Sequence, residues 1–326
     1  METSVAALPE IPVHDAKDAA QLFAAERARG EALLSTAHAL YGRAFVRFAD
    51  ARSRAWLARA ETPYAPEIAH VAHTLGAPGA YFLNLSYEWG CTCAVGPDPN
   101  GRGWRLVRTL DWPLDGLGRA LVALGRETPH GPFIDLTWPG FAGTVQGFAP
   151  GRFAAALNQA PMLRRGLPPA LDWALNRVRV GRSRALPPTH LLRRALETAP
   201  DFAAARRMLT ETPLCLPAIF SLAGTEDGCV IERTEDDAHI HPGPARATNH
   251  WQSPRFRGTA RRSESEARLA AIDSLAPAAG ADFAWLVPPI LNPTTRLALW
   301  ANPAQGRLEA QGFEADGPAT KRLSLS

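Results

Sequence analysis

Four cysteines stand at positions 91, 93, 215 and 229 of the 326-residue chain. A thiolate is a strong nucleophile and a soft metal ligand, so spacing decides which chemistry is open. Paired cysteines of zinc sites are separated by about two to four residues. Cys91-Thr92-Cys93 is tighter than that, and no other pair fits, so the sequence implies neither a metal nor a cofactor. Nucleophilic catalysis stays open, beside the plainer role of buried apolar thiols. A catalytic thiol needs a base, which most cysteine amidases supply as a histidine. None of the nine histidines lies in a recognisable cysteine-protease context. A cysteine that begins a chain has another base, its own α-amino group with a pKa of about 7.7–8.0. On that route the peptide bond before the cysteine must break first.

Four segments in fixed order surround this cysteine: LNLSYEWGCTCAV at 83–95, RTLDWPL at 108–114, FAGTVQGFAPGRFAAALNQ at 141–159 and ATNHW at 247–251. Together they resemble the acid ceramidase and N-acylethanolamine acid amidase family, within the wider choloylglycine hydrolase group. The similarity runs from about residue 64 to at least residue 265. It implies an N-terminal-nucleophile hydrolase that cuts itself before the Cys-Thr pair, here Cys91-Thr92, leaving Gly90 at the end of the small fragment. It further implies that Arg108 and Asp111 flank the nucleophile and hold its amine and thiol. The Asn249 amide resembles an oxyanion donor, a type of group that contributes about 10² to 10³ in rate. Of the pair Arg261-Arg262, Arg261 matches the active-site arginine. Asn158, Gln159 and Trp112 match positions that touch substrate. One departure stands out: relatives place Glu where this chain has Gln159. A glutamine cannot ionise, so a hydrogen-bonding role survives while a proton-transfer role does not. Cys93 replaces a serine of the relatives, and Cys215 and Cys229 read as core.

The implied substrate is a small-molecule linear amide with an apolar acyl chain, such as an N-acylethanolamine or a ceramide-like lipid amide. Acyl transfer to another amine, a bile-salt or penicillin-type amide, and an uncut binding protein are the alternatives. Trp89, Trp112, Trp138, Phe141 and Phe148 lie near the motifs and either line an apolar channel or fill the core.

The elements that must position these residues follow from periodicity. Residues 16–60 have apolar positions every three to four residues and read as a hairpin of two helices. Another helix starts near Pro66, carries Ile68, Val71, Ala72 and Leu75 on one face, and ends at Gly76. Cys91–Gly96 and Trp104–Leu110 read as a hairpin around the turn 97–103. Strands are expected at 134–138, 143–147 and 152–158, helices across 168–212 with Asp201 as an N-cap, then strands at 215–224, 228–234, 238–241, 296–301 and 306–312. The Ala-rich stretch 270–281 reads as a loose loop. Runs of helices and runs of strands imply an α+β sandwich, an αββα arrangement of two antiparallel sheets with outer helices. Residues 1–90 form the helical segment before it, the cleaved part or small subunit that stays associated, and 91–326 the catalytic domain.

Composition narrows the partners. At 46% hydrophobic and 21% charged the chain is globular. Thirty-five Lys and Arg against 32 Asp and Glu give +3, scattered in short pairs, which offers no nucleic-acid footprint. The first twenty residues lack a signal-peptide pattern, and no apolar run has the roughly 18 residues of a membrane span, so the expectation is a cytoplasmic protein without integral membrane contact.

Overall fold

The computed structural model describes residues 7–86, 89–261 and 264–326. The chain enters through a short strand, β1 (Val13–Asp15), followed by three helices where the sequence suggested two: α1 (Ala19–Ala25), α2 (Arg27–Tyr41) and α3 (Arg43–Leu57). Asp18 caps the first by accepting the Gln21 amide at 2.8 Å. Single residues make the two breaks. Glu26 leaves the helical region, and Gly42 sits at φ 84°, a conformation that costs glycine nothing and any side chain a good deal. A helical period does not register such one-residue interruptions. Helix α4 (Ala65–Leu75) starts at the proline and stops at Gly76, whose φ of 66° is the left-handed C-cap. Helix α5 (Ala80–Leu85), absent from the sequence reading, precedes the strand of Cys91.

Two sheets form the centre among the described residues. The first runs β1, β4 (Val122–Arg126), β5 (Phe133–Thr137), β6 (Gln146–Ala149), β7 (Phe153–Gln159), β8 (Ala218–Ala223), β9 (Gly228–Arg233) and β10 (Ala238–Pro242). The second runs β11 (Ala245–Ala247), β2 (Gly90–Pro97), β3 (Trp104–Asp111), β12 (Thr295–Asn302), β13 (Arg307–Glu314) and β14 (Gly317–Pro318), with β15 (Leu323–Leu325) also on β13. One expectation needs correction: β1 lies parallel to β4, with Val13 opposite Ala123 and Asp15 opposite Gly125. Residues 1–90 thus supply an edge strand of the sandwich as well as helices.

Helix α6 (Pro169–Arg182) leads to α7 (Pro188–Thr198) and α8 (Phe202–Glu211), which cover the outer face of the first sheet; the Asp201 carboxylate caps α8 by accepting the Ala204 amide at 2.8 Å. Helix α9 (Ser265–Leu275) covers the second sheet and passes into a 3-10 turn, Ala276–Ala278. This corrects the loose loop expected at 270–281. Alanine is the best helix former, and its small side chain lets the backbone approach the sheet. Ile272, Ala276 and Ala279 are buried against Trp285, Trp300 and Phe313, and the carbonyls of Ala276 and Ala279 accept hydrogen bonds from Arg105.

The two halves around residue 90 are locked together. Ile11, Leu33 and Ala37 join the core between the sheets. Arg193, 4% exposed at its side chain, donates to both carboxylate oxygens of Glu67 at 2.7 and 2.8 Å. Tyr64 Oη donates to Glu197 at 2.6 Å.

Two buried groups give opposite pH dependences to stability. Burial pushes Asp135 on β5 up to about 7, against about 3.9 in an unfolded chain. Between those values the native chain holds a proton that the unfolded chain has lost, so this contribution makes stability fall as pH rises from about 4 to 7. Burial pushes His190, bonded through Nδ1 to Thr62 Oγ1 at 2.8 Å, down to about 3. Below its unfolded value of ~6.5 the unfolded chain binds the extra proton, so this contribution rises with pH. Asp135→Asn removes the first effect alone. The melting temperature of the variant relative to wild type is expected to climb from about pH 4 to 7 and then level off; a constant difference would contradict it.

Candidate active site

Antiparallel pairing of β2 with β3 puts Gly90 opposite Asp111, Cys91 opposite Leu110 and Cys93 opposite Arg108. Alternation along a strand sends Cys91, Cys93, Arg108 and Leu110 into the space between the sheets, and Thr92, Ala94, Val107 and Asp111 toward α9. Arg108 and Asp111 therefore serve Cys91 from opposite faces of the sheet.

On the inner face Arg108 Nη2 donates to Cys91 Sγ at 3.1 Å. Its Nη1 donates to the carbonyls of Val145 and Leu157, each at 3.0 Å, which come from the opposite sheet and its approach. The arginine is wholly buried, so its cation is held still beside the sulfur. Burial nevertheless outweighs it and pushes the Cys91 thiol up to about 12, so in the uncut chain the sulfur is a neutral thiol.

On the outer face the grip is on the backbone of Cys91. Strand β11 pairs with β2, Ala247 opposite Cys93, and so carries Asn249 to the start of β2. The Cys91 amide donates to Asn249 Oδ1 at 2.8 Å. Asn249 Nδ2 donates to the Gln159 carbonyl at 2.9 Å. Arg268, in the first turns of α9, donates to the Cys91 carbonyl at 2.6 Å, to Thr92 Oγ1 at 2.9 Å and to Asn249 Oδ1 at 2.9 Å. Asp111 faces Arg268 at 3.7 Å and accepts from Thr295 Oγ1 at 2.9 Å. Burial raises the Asp111 carboxyl, and the Arg268 cation and the Thr295 hydroxyl oppose that. Thiol, amide and carbonyl of one residue are thus each held by a separate buried group, an arrangement that orients a nucleophile and the peptide bond before it.

No family model matches the chain. Over 136 residues it is 31% identical to the acid ceramidase of Heterocephalus glaber, a stretch that is 38% of this chain and 33% of that one. Over 196 residues it is 25% identical to the acid ceramidase of Rattus norvegicus, covering 54% and 48%. The chain is thus similar to acid ceramidases over part of its length. It spans between a third and a half of the length of these two relatives. In fold it is similar to a Caenorhabditis elegans N-acylethanolamine-hydrolyzing acid amidase ortholog, which superposes with a TM-score of 0.51 at 19% identity, over 72% of this chain and 100% of that one.

The structure gathers Cys91, Arg108, Asp111, Asn249 and Gln159 at one point. The wiring differs in one respect from what the motifs implied: the Cys91 amide rests on Asn249, and Asp111 reaches Cys91 through Arg268. Arg268 escaped the sequence reading, which looked for the arginine in the pair at 261–262. Its spacing on α9, three residues after the buried Ser265 and four before the buried Ile272, was the available signal. Arg261 donates its backbone amide to the Asn249 carbonyl at 2.8 Å, while its side chain lines a cavity. Arg262 lies outside the described residues.

Two residues expected at the substrate lie in the interior. Asn158 is fully buried: its Nδ2 donates to the carbonyls of Ala247 and Thr248 at 3.2 and 3.1 Å, and its Oδ1 accepts from Cys93 Sγ at 3.0 Å. It clamps β7 to the segment that delivers Asn249. Trp112 is also fully buried, donating to Tyr41 Oη at 3.2 Å and packed on Trp89 and Trp138. It is core, as are Trp138, Phe141 and Phe148. The apolar cavity beside the site, about 640 Å³, is walled instead by helices α3, α5 and α6, through Phe45, Phe48, Trp56, Phe82, Trp173 and Val180. Gln159 and Arg261 also line it. Trp56 Nε1 donates to the Val180 carbonyl at 2.9 Å, joining α3 to α6 across it.

Proposed function

We propose that the chain is an amidase that activates itself by cutting between Gly90 and Cys91 and then hydrolyses linear amides with apolar acyl chains. In maturation Cys91 Sγ attacks the Gly90 carbonyl, the thiol proton passes to the Cys91 nitrogen, and the peptide bond becomes a thioester. Water then releases Gly90 as a carboxylate and Cys91 as a free amine and thiol. In turnover that amine accepts the thiol proton while the sulfur attacks the substrate carbonyl. The leaving amine takes the proton, and water clears the acyl-enzyme. The observation that carries this reading is the separate hold on the thiol, amide and carbonyl of Cys91. Arg108 stabilises the thiolate, and Asn249 and Arg268 orient the reacting residue, with Asn249 Nδ2, which donates to the Gln159 carbonyl in the uncut chain, the N–H that serves the oxyanion. The buried contacts between residues 1–90 and 91–326 support fragments that stay associated.

The kinship with acid ceramidases and the apolar cavity support a lipid-like amide, and the nematode relative in fold is by its name an amidase acting on N-acylethanolamines. Gln159 in the cavity wall bears no charge at any pH, which suits an uncharged acyl group there. Among the described residues no helix is long and apolar enough to cross a membrane, and no three His, Cys, Asp or Glu side chains gather as a metal site.

Acyl-chain length tests the substrate. Each buried methylene is worth about 0.8 kcal/mol, so rates on N-acyl amides from about two to sixteen carbons are expected to rise several-fold per methylene until the cavity is filled. Leu216→Trp, which fills part of that cavity, should cut the rate on the longest chains by roughly tenfold and spare the shortest. Equal rates across the series would remove the apolar acyl site.

A further inference from the structure

Asn249 reaches Cys91 on the segment after β11 and Arg268 reaches it on α9, and one side chain joins these two elements. Ser265, the first residue of α9, is 3% exposed. Its Oγ accepts the backbone N–H of Asn249 at 2.9 Å and donates to Thr248 Oγ1 at 3.1 Å. Thr248 Oγ1 donates to the Ser265 carbonyl at 3.0 Å, so the contact is closed in both directions. His250 Nδ1 completes the cluster, 2.9 Å from Ser265 Oγ and 3.1 Å from Thr248 Oγ1. Arg268, further along the helix, donates to Asn249 Oδ1 and to the Cys91 carbonyl. The start of α9 thus holds Asn249 at its backbone nitrogen and at its side-chain oxygen. Directly before it stands Glu264 at φ 57°, a left-handed conformation that is uncommon for a residue with a side chain and persists where the surroundings impose it.

We propose that Ser265 is a positioning residue for the chemistry at Cys91: its hydroxyl ties the Asn249 backbone to α9, so that the Asn249 amide and the Arg268 guanidinium meet Cys91 as one rigid unit. The inference rests on the amidase reading of Cys91. Hydroxyl-to-backbone bonds usually shape a turn or cap a helix within one element. Here the bond crosses from α9 to a segment 16 residues earlier and lands on the residue that contacts Cys91. Asn249 Oδ1 is engaged by the Cys91 amide and by Arg268, which leaves Nδ2 toward the Gln159 carbonyl and, in turnover, toward the oxyanion. Without the hydroxyl the buried Asn249 N–H loses its acceptor, and the segment must shift to find another. A shift of about 1 Å carries Nδ2 away from the developing charge, a displacement that costs on the order of 10² in rate.

The test follows maturation and then, once that has run to completion, hydrolysis of a twelve-carbon N-acylethanolamine. Ser265→Ala is expected to slow both the cut before Cys91 and kcat by about ten- to a hundredfold, with KM within about twofold of wild type, because the apolar cavity is walled by α3, α5 and α6. Ser265→Thr keeps the hydroxyl and should recover kcat to within about threefold. Ile272→Ala is the structural control. It removes a buried apolar side chain from the same helix and should lower the melting temperature at least as far, yet leave maturation and kcat unchanged. The Asn249 N–H should exchange with solvent faster, relative to the buried amides of β2, in Ser265→Ala alone. Wild-type maturation and kcat in Ser265→Ala, or an equal loss in Ile272→Ala, would overturn the proposal while the amidase stands. A wild-type chain that neither cuts itself nor hydrolyses the amide would remove the amidase reading and the proposal with it.

Discussion

Cys91→Ala is expected to accumulate as one chain of 326 residues, whereas the wild type separates under denaturing conditions into fragments of residues 1–90 and 91–326. Only the sulfur is lost, so the fold should persist: the alanine keeps the amide bond to Asn249 and the carbonyl bond to Arg268, and vacates a site that Arg108 still borders. The effect is close to all or none because no other group on β2 is placed to attack Gly90. Cys93 shares the inner face, but its thiol is committed to Asn158 at 3.0 Å. A neutral thiol pushed up to about 12 has little thiolate near neutrality, so maturation should quicken as pH rises, and the matured enzyme, with an amine as base, should respond at lower pH. Intact mass after denaturation at several pH values reads the outcome. An intact wild-type chain at every pH would leave turnover without its base.

Arg268→Ala should block maturation almost as fully, for a different reason. Three hydrogen bonds to Cys91, Thr92 and Asn249 disappear together, and Asp111 loses the cation at 3.7 Å. Leaving a buried carboxylate without its partner costs about 3–5 kcal/mol, and loosening the backbone of Cys91, whose sulfur and nitrogen both take part in the cut, costs on the order of 10² in rate. Arg268→Lys keeps the charge but not the fork, and is expected to mature slowly with a smaller loss of stability. Arg268→Ala/Asp111→Asn removes both charges and should recover most of the stability without recovering the cut. Denaturing electrophoresis over time and thermal unfolding separate the two effects. If Arg268→Ala matures at the wild-type rate, the residue is structural and has no part in orienting Cys91.

Local chemistry was legible from residue order alone. Gly76 and Asp201 mark helix ends through backbone conformation and a single side-chain hydrogen bond, both of which depend on a few neighbours. The turn 97–103 between two apolar strands makes the β2–β3 hairpin, and the hairpin alone brings Arg108 across from Cys93. Cys91, Arg108, Asp111 and Asn249 were visible as a set only through the resemblance carried by their ordered motifs, and the hairpin then brings the first three together. What stayed hidden depends on elements remote in sequence. Strand β1 is three residues long and joins β4 more than a hundred residues later, so no local period announces it. Arg268 reaches Cys91 because α9 lies on the outer face of β2, and a helical pattern does not reveal which sheet it will cover. The sequence could name aromatic residues but not their side of the sheet. Trp112 and Phe148 went to the core because strand alternation pointed them inward, while Phe45, Phe48 and Trp173 came to line the cavity because α3 and α6 meet over the site. Residue type and spacing determine which groups can react and where the chain turns. Which buried cation holds a carbonyl, and which aromatic faces a substrate, is decided by the packing of distant layers, since contact across a sandwich costs the chain no particular local pattern.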